Sequence, residues 1–279
     1  MNHRAETRRL AEERVQQQKF EEVQITLIEG LTNEDMYAAL AKQKLGNPEK
    51  YAEAEQRIET KEYSFLASKP KSQNLQGYLF PDTYRFSTAA TESEVVEMLL
   101  ETFGKRLAKA AAADTIVDVR GRYQLPGYDS LQLEEGTVDG LTTHEAITLA
   151  SIVEKETGAG QGASSSELLE ERRIVAGIFL NRLSIGMALQ SDATVGYVTK
   201  SGRASATEAD LKTDSPYNTY KFRGLPPGPI ANVSYSSLYA VLHPKETDYL
   251  YFLHSQSTGE AYYARTFEEH TRNKAKYLR

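Results

Sequence analysis

With 279 residues the chain can support one large core or two modest ones, and the absence of cysteine removes disulfides, thiolate nucleophiles and Cys-ligated metals. A formal net charge of -6, with Lys and Arg dispersed along the chain, argues against broad attraction to a nucleic-acid backbone. No apolar run approaches the length of a membrane span, and the start, MNHRAETRRLAEERVQQQKF, has no signal-peptide core.

Residues 1–22 are dominated by Arg, Glu and Gln and read as an exposed, charged arm. In EVQITLIEG, Val23, Ile25 and Leu27 alternate as in a half-buried strand that Gly30 ends. Thr32 and Asp35 then have capping-box spacing, ahead of a helix face made by Met36, Leu40 and Leu45. Residues 48–69 are expected to be helical, and KPKSQNLQGYLFPDTYRF to be a set of turns around aromatic residues. A long helix is predicted over 92–113, followed by a less regular stretch to about residue 140.

Thr142 and Glu145 again have capping-box spacing, which predicts a helix from there to about Thr157. GAGQGASSS interrupts the pattern, and a second helix follows over roughly 168–184. Beyond it, YLYFLHS at 249–255 is the best strand candidate. The pattern as a whole predicts an α+β fold.

The helix from Thr142 ends in VEKET. At 100° per residue, Ile147, Ala150, Ser151 and Glu154 share a side, whereas Glu156 points to nearly the opposite one. Glu154 therefore continues an apolar stripe, where desolvation favours a protonated carboxyl able to serve as a general acid. The competing structural expectation is that Glu154 lies in water or pairs with Arg172 or Arg173, and that Glu156 faces solvent or braces the helix. Further along, NRLSIGMALQSDATVGY and SPYNTYKFRGLPPGPI mix amides, Asp and Tyr with turn formers, as a carbohydrate cleft or an ordinary polar loop would. The five His have no metal-ligand spacing, and neither a nucleophile elbow nor a phosphate-binding glycine loop is present.

GYLFPDTY at 77–84, LASIVEKET at 149–157, ERRIVAGIFLNRLSIGMALQSD at 171–192, YNTYKFRGLPPGPIAN at 217–232 and HPKETDYLYF at 243–252 occur in the order found in the bacterial endolytic murein transglycosylase, or YceG-like, family. The chain resembles that family over most of 23–279. The resemblance implies a small LysM-like subdomain with its connecting helix over 23–69 and a catalytic domain over 70–279. It further implies non-hydrolytic, internal cleavage of the β-1,4 bond between N-acetylmuramic acid and N-acetylglucosamine, leaving 1,6-anhydromuramyl ends and needing no cofactor or metal. The alternatives are a hydrolase of the same polymer and a non-catalytic, peptidoglycan-binding scaffold.

By the same resemblance Glu154 is expected to be the catalytic acid/base, with Glu156, Gln190, Asp192, Tyr217, Asn218 and Tyr220 binding substrate or supporting the site. Peptidoglycan glycan strands are the implied partner, together with cell-wall synthesis or division proteins. A single-pass anchor holding the enzyme at the outer face of the cytoplasmic membrane is expected of the family and is absent from this sequence. Gln76 stands where the family commonly has Glu, and Ala193 where a Pro often follows the Asp.

Overall fold

The computed structural model describes residues 21–111, 116–117, 123–125, 131–133, 136–138, 140–158, 164–203 and 205–278. All but the last two residues of the expected charged arm, and most of the irregular stretch before Gly140, lie outside that set.

β1 (Glu22–Thr26) pairs antiparallel with β2 (Thr83–Ser87), Ile25 opposite Tyr84 and Val23 opposite Phe86. Alternation puts Ile25, Tyr84 and Phe86 on the buried face. β2 replaces the turn expected there: Pro81 and Asp82 mark only its entrance, and the aromatic alternation after them builds the strand. α1 (Asn33–Lys42) starts at the expected capping box, with Thr32 and Asp35 bonding each other's backbone. α2 (Pro48–Arg57) has Asn47 as its cap and Pro48 in the first turn, where a missing N–H costs nothing. It stops about twelve residues earlier than an unbroken helix to about 69 would, and two 3-10 turns, Thr60–Glu62 and Ser64–Leu66, continue the chain.

α3 (Glu92–Ala111) buries Val95, Val96, Leu99, Leu100, Phe103 and Leu107. Short two-stranded ladders follow, β3 (Ile116–Val117) with β4 (Tyr123–Gln124) and β5 (Leu131–Leu133) with β6 (Gly136–Val138). α4 (Thr143–Glu156) begins at the Thr142–Glu145 capping box and is buried almost all round from Ala146 to Glu154. α5 (Ser165–Ser184) starts three residues before the apolar pattern does, because Ser164 and Glu167 form a capping box of their own. α6 (Asp192–Thr199), α7 (Glu208–Leu211) and α8 (Tyr235–Leu242) follow. The chain then forms a hairpin of β7 (Tyr251–His254) and β8 (Ala261–Ala264), and ends in α9 (Phe267–Tyr277). The mixture of packed helices and small antiparallel sheets is an α+β fold. No helix among the described residues is long and apolar enough to cross a membrane.

A single contiguous apolar cluster runs from Ile25 in β1 to Leu242 in α8. Several polar groups inside it are paired. On α4, the Thr148 hydroxyl donates to the His144 carbonyl at 2.8 Å, and Ser151 Oγ accepts the Ile230 amide at 2.9 Å. The His144 ring lies between the Tyr78 hydroxyl and the Pro227 carbonyl, each at 2.9 Å.

Asn232 joins the N-terminal unit to the rest of the fold. Its fully buried Oδ1 accepts the amides of Gly77 at 3.0 Å and Leu79 at 3.1 Å, while Nδ2 donates to Asn33 Oδ1 at 2.8 Å. Gly77 is required beside it: its φ is +89°, and a Cβ there would lie 2.5 Å from Pro229 Cβ. Replacing Asn232 with Ala strands two buried N–H donors, each costing roughly 1–3 kcal/mol. Urea denaturation of Asn232→Ala is expected to show a loss of about 2–4 kcal/mol with an unchanged slope.

Candidate active site

The two carboxylates at the end of α4 leave the helix on nearly opposite sides and meet different surroundings. Glu154 is 8% exposed. Its Oε1 accepts from Arg172 Nη2 at 2.7 Å, and its Oε2 accepts from the Ser234 amide at 2.8 Å and the Ser234 hydroxyl at 2.6 Å. Arg172 is equally engaged, donating from Nε to Thr157 Oγ1 at 3.1 Å and from Nη1 to the hydroxyls of Ser234 and Ser236. The apolar stripe correctly predicts that Glu154 is buried. Both of its oxygens are engaged, Oε1 in the ion pair with Arg172 that fastens α4 to α5 and Oε2 with Ser234 at the start of α8. That pairing is the competing structural expectation raised by the sequence.

Glu156 faces a cavity of about 1820 Å³ walled by α1, α4, α6, the 215–220 loop, β7 and α9. Its carboxyl accepts from the Ser191 hydroxyl. Burial pushes this carboxyl above the usual carboxylate range; the Ser191 bond, the Ala193 amide and the His254 ring oppose the shift, and the Asp192 charge adds to it. The result is a carboxyl whose protonated form is favoured, on the wall of an open cavity, an arrangement suited to a general acid. Ala193 contributes through its N–H, which a proline at that position would lack.

Four of the remaining expected residues line the same cavity. Asp192 opens α6 and accepts the Tyr220 hydroxyl at 2.7 Å. Burial, reinforced by that carboxylate, holds the Tyr220 phenol well above its ordinary value. Tyr217 packs on Tyr197 with ring centroids 5.2 Å apart, and burial pushes its phenol up to about 12. Gln190 takes a positive φ of 50°, and its amide donates to the Thr219 carbonyl at 3.1 Å.

Asn218 is different. It is buried away from the cavity, its Nδ2 donating to the carbonyls of Leu211 and Thr213 at 2.9 Å each and its Oδ1 accepting the Tyr220 amide at 3.1 Å. These bonds shape the loop that carries Tyr217 and Tyr220.

Sequence reasoning missed Ser191, Arg182 and His254. Ser191 precedes Asp192 in a segment already singled out, and its signal is only that adjacency. Arg182 is buried on α5, donates to the carbonyls of Leu250 at 2.7 Å and of Leu189, and stands over the Tyr251 ring at 5.4 Å. His254 lines the cavity with Nε2 3.0 Å from Glu171 Oε1. At the cavity's other side, Lys200 bridges to Glu34 at 2.8 Å, joining α6 to the first turn of α1.

A carboxyl raised by burial at a helix end, on the wall of a polar and tyrosine-rich cavity, has the chemistry of a general acid. Residues 1–276 match the profile of the YceG-like family, and the chain belongs to it. It is 38% identical over 204 residues to the endolytic murein transglycosylase of Bacillus subtilis (strain 168), covering 73% of this chain and 48% of that protein. It is 33% identical over 209 residues to the protein of the same name from Streptococcus pneumoniae (strain D39), covering 73% of this chain and 32% of that one. The chain thus spans about half the length of the Bacillus relative and a third of the streptococcal one. The crystal structure of a YceG-like protein from Listeria monocytogenes superposes with a TM-score of 0.68 at 28% identity, over 89% of this chain and 75% of that one.

The ion pair has a measurable signature. Arg172→Met leaves the Glu154 carboxylate buried without its cation and is expected to lower stability by roughly 3–5 kcal/mol. Adding Glu154→Met should restore most of that loss, and a double-mutant cycle by urea denaturation measures the coupling.

Proposed function

We propose that the chain cleaves peptidoglycan glycan strands at internal β-1,4 bonds between N-acetylmuramic acid and N-acetylglucosamine, without water, and that Glu156 is the acid/base. One observation carries the assignment: of the two carboxylates at the end of α4, Glu156 alone faces the cavity, and its surroundings favour the protonated form. The names of the relatives supply the substrate class.

In the first step the Glu156 proton passes to the glycosidic oxygen as the bond from that oxygen to muramyl C1 breaks. The positive charge that develops at C1 and the ring oxygen faces the carboxylate just formed. That carboxylate then takes the proton of the muramyl C6 hydroxyl while O6 bonds to C1. The products are a 1,6-anhydromuramyl end and a free N-acetylglucosamine 4-hydroxyl, and Glu156 is protonated again. Because the nucleophile belongs to the substrate, one carboxyl serves both steps, unlike the paired carboxyls of most glycosidases. Ser191 and Tyr220 orient Glu156 and Asp192, and Tyr217 offers a ring to the sugar faces.

A hydrolase would need a second carboxylate to activate water, and Asp192 is the candidate, since its charge is felt at Glu156. The Tyr220 bond on Asp192 favours the lytic reading, and the product ends decide between them. We further read the β1–α1–α2 unit as a LysM-like, glycan-orienting module, because Thr32, Asn33 and Glu34 stand on the cavity wall. With that substrate, we read the reaction as lying outside the cytoplasmic membrane, beside wall-synthesis proteins.

Mass spectrometry of uncrosslinked glycan strands should show 1,6-anhydromuramyl ends from the unmodified protein. Glu156→Gln should lower their yield by about 10³-fold or more with the melting temperature preserved. Reducing muramyl ends would overturn the lytic reading, and an active Glu156→Gln would overturn the assignment of the acid.

The pH profile has a definite sign. Cleavage needs Glu156 protonated, so kcat/KM falls as pH rises through its pKa, which lies above the ordinary carboxylate range. The Ser191 hydroxyl stabilises the ionised form, so Ser191→Ala should move this alkaline limb to higher pH.

A further inference from the structure

The charged groups that line the cavity are nearly all partnered. Glu34 holds Lys200, Asp35 caps Thr32, Asp192 accepts from Tyr220, Arg203 is paired with Asp210 at 2.7 Å, and His254 is held by Glu171. Lys155, at the α1 side, donates to the Gly30 carbonyl at 3.3 Å. Arg182 and Lys274 remain, and neither has a carboxylate within ion-pair distance among the described residues. Arg182 is buried, which disfavours its charge; the nearby Tyr251, Glu156 and Tyr220 groups oppose that, and its own bonds go to two backbone carbonyls instead of to a carboxylate. A buried guanidinium in this condition favours an incoming anion.

Lys274 lies one turn beyond His270 on α9, and His270 stacks on the Tyr251 ring over which Arg182 stands. Both cations act on His270, whose imidazole is driven down to about 4 by burial first and by Lys274 and Arg182 next, so the ring stays neutral between them. Phe267, His270, Lys274 and Leu278 recur at helical spacing, and all four line the cavity. No residue of α9 is buried, so this stripe faces the cavity instead of the core. Phe267 is 61% exposed and lies 6.0 Å from the Tyr251 ring, itself 5.2 Å from His270. An exposed aromatic ring beside two unpaired cations suits a ligand that carries both an apolar sugar face and a carboxylate.

We propose that Arg182 and Lys274 form a subsite for a carboxylate carried on the 3-O-lactyl arm of a muramyl unit, with Phe267 packing against the attached sugar. This rests on the reading of the cavity as a glycan site and specifies which chemical form of the strand it selects. The carboxylate has two sources: the lactyl group's own, free in peptide-free strands, or one belonging to a stem peptide joined there.

Titration calorimetry on the Glu156→Gln protein separates these sources, using a peptide-free tetrasaccharide of alternating N-acetylglucosamine and N-acetylmuramic acid, its lactyl methylamide, and the same sugar bearing stem peptides. Binding of at least one carboxylate form about tenfold tighter than the methylamide is expected, and which one names the source. Lys274→Gln should remove most of that preference, whereas Lys276→Gln, an equal change of charge on the same helix, should keep it. Phe267→Ala should weaken all three ligands by about fivefold. Equal affinities for all three ligands, a preference that survives Lys274→Gln, or one lost equally with Lys276→Gln would overturn the subsite. Cleavage of the sugars by Glu156→Gln would overturn the catalytic assignment instead, and the affinity ratios would still be readable.

Discussion

The geometry of the site depends on the ion pair between Arg172 and Glu154. Each partner also bonds Ser234, and Arg172 reaches Thr157 just past the end of α4. The last turn of α4 is thus held on one side by α5 and by the start of α8. A buried pair of this kind gains little net free energy, since desolvation offsets much of the Coulomb attraction. Its contribution is position. With residue 154 fixed, a rotation of about 200° along the helix carries residue 156 to the opposite wall and into the cavity.

The cavity's facing wall is made of loops, and these are fastened to each other. Ser191 N donates to Thr219 Oγ1 at 3.0 Å, Thr194 Oγ1 lies 2.9 Å from the same oxygen, and Gln190 N meets the Thr219 carbonyl. Asn218 supplies three further bonds beneath them. The segment that presents Ser191 and Asp192 is therefore laced to the segment that presents Tyr217 and Tyr220. Two non-glycine residues at positive φ, Gln190 and Lys200, bracket α6 and turn the chain into and out of that wall. Such conformations persist only where surrounding contacts enforce them.

Much of this was legible in the sequence. The capping boxes at Thr32 and Thr142 set helix starts because the signal is local and carried by side chains that bond their own backbone. The opposite facing of Glu154 and Glu156 follows from helical period alone. What each of them meets does not, because periodicity gives a face and not what lies against it. Arg172, eighteen residues on, reaches Glu154 only once α5 has folded back, and Ser234 arrives from further still. β2 was hidden for a related reason: Pro81 and Asp82 announced a turn, while β1, its partner, lies more than fifty residues earlier. Asn218 looked like a cleft amide, and only the packing of its loop shows that its bonds are spent on carbonyls.

Glu156 is the final residue of α4, and that placement has an electrostatic consequence. Peptide dipoles align along a helix so that its C-terminal end carries partial negative charge, which opposes an anion located there. A carboxylate formed at Glu156 develops against that field as well as against its own desolvation. The helix that positions the group therefore also favours its protonated form.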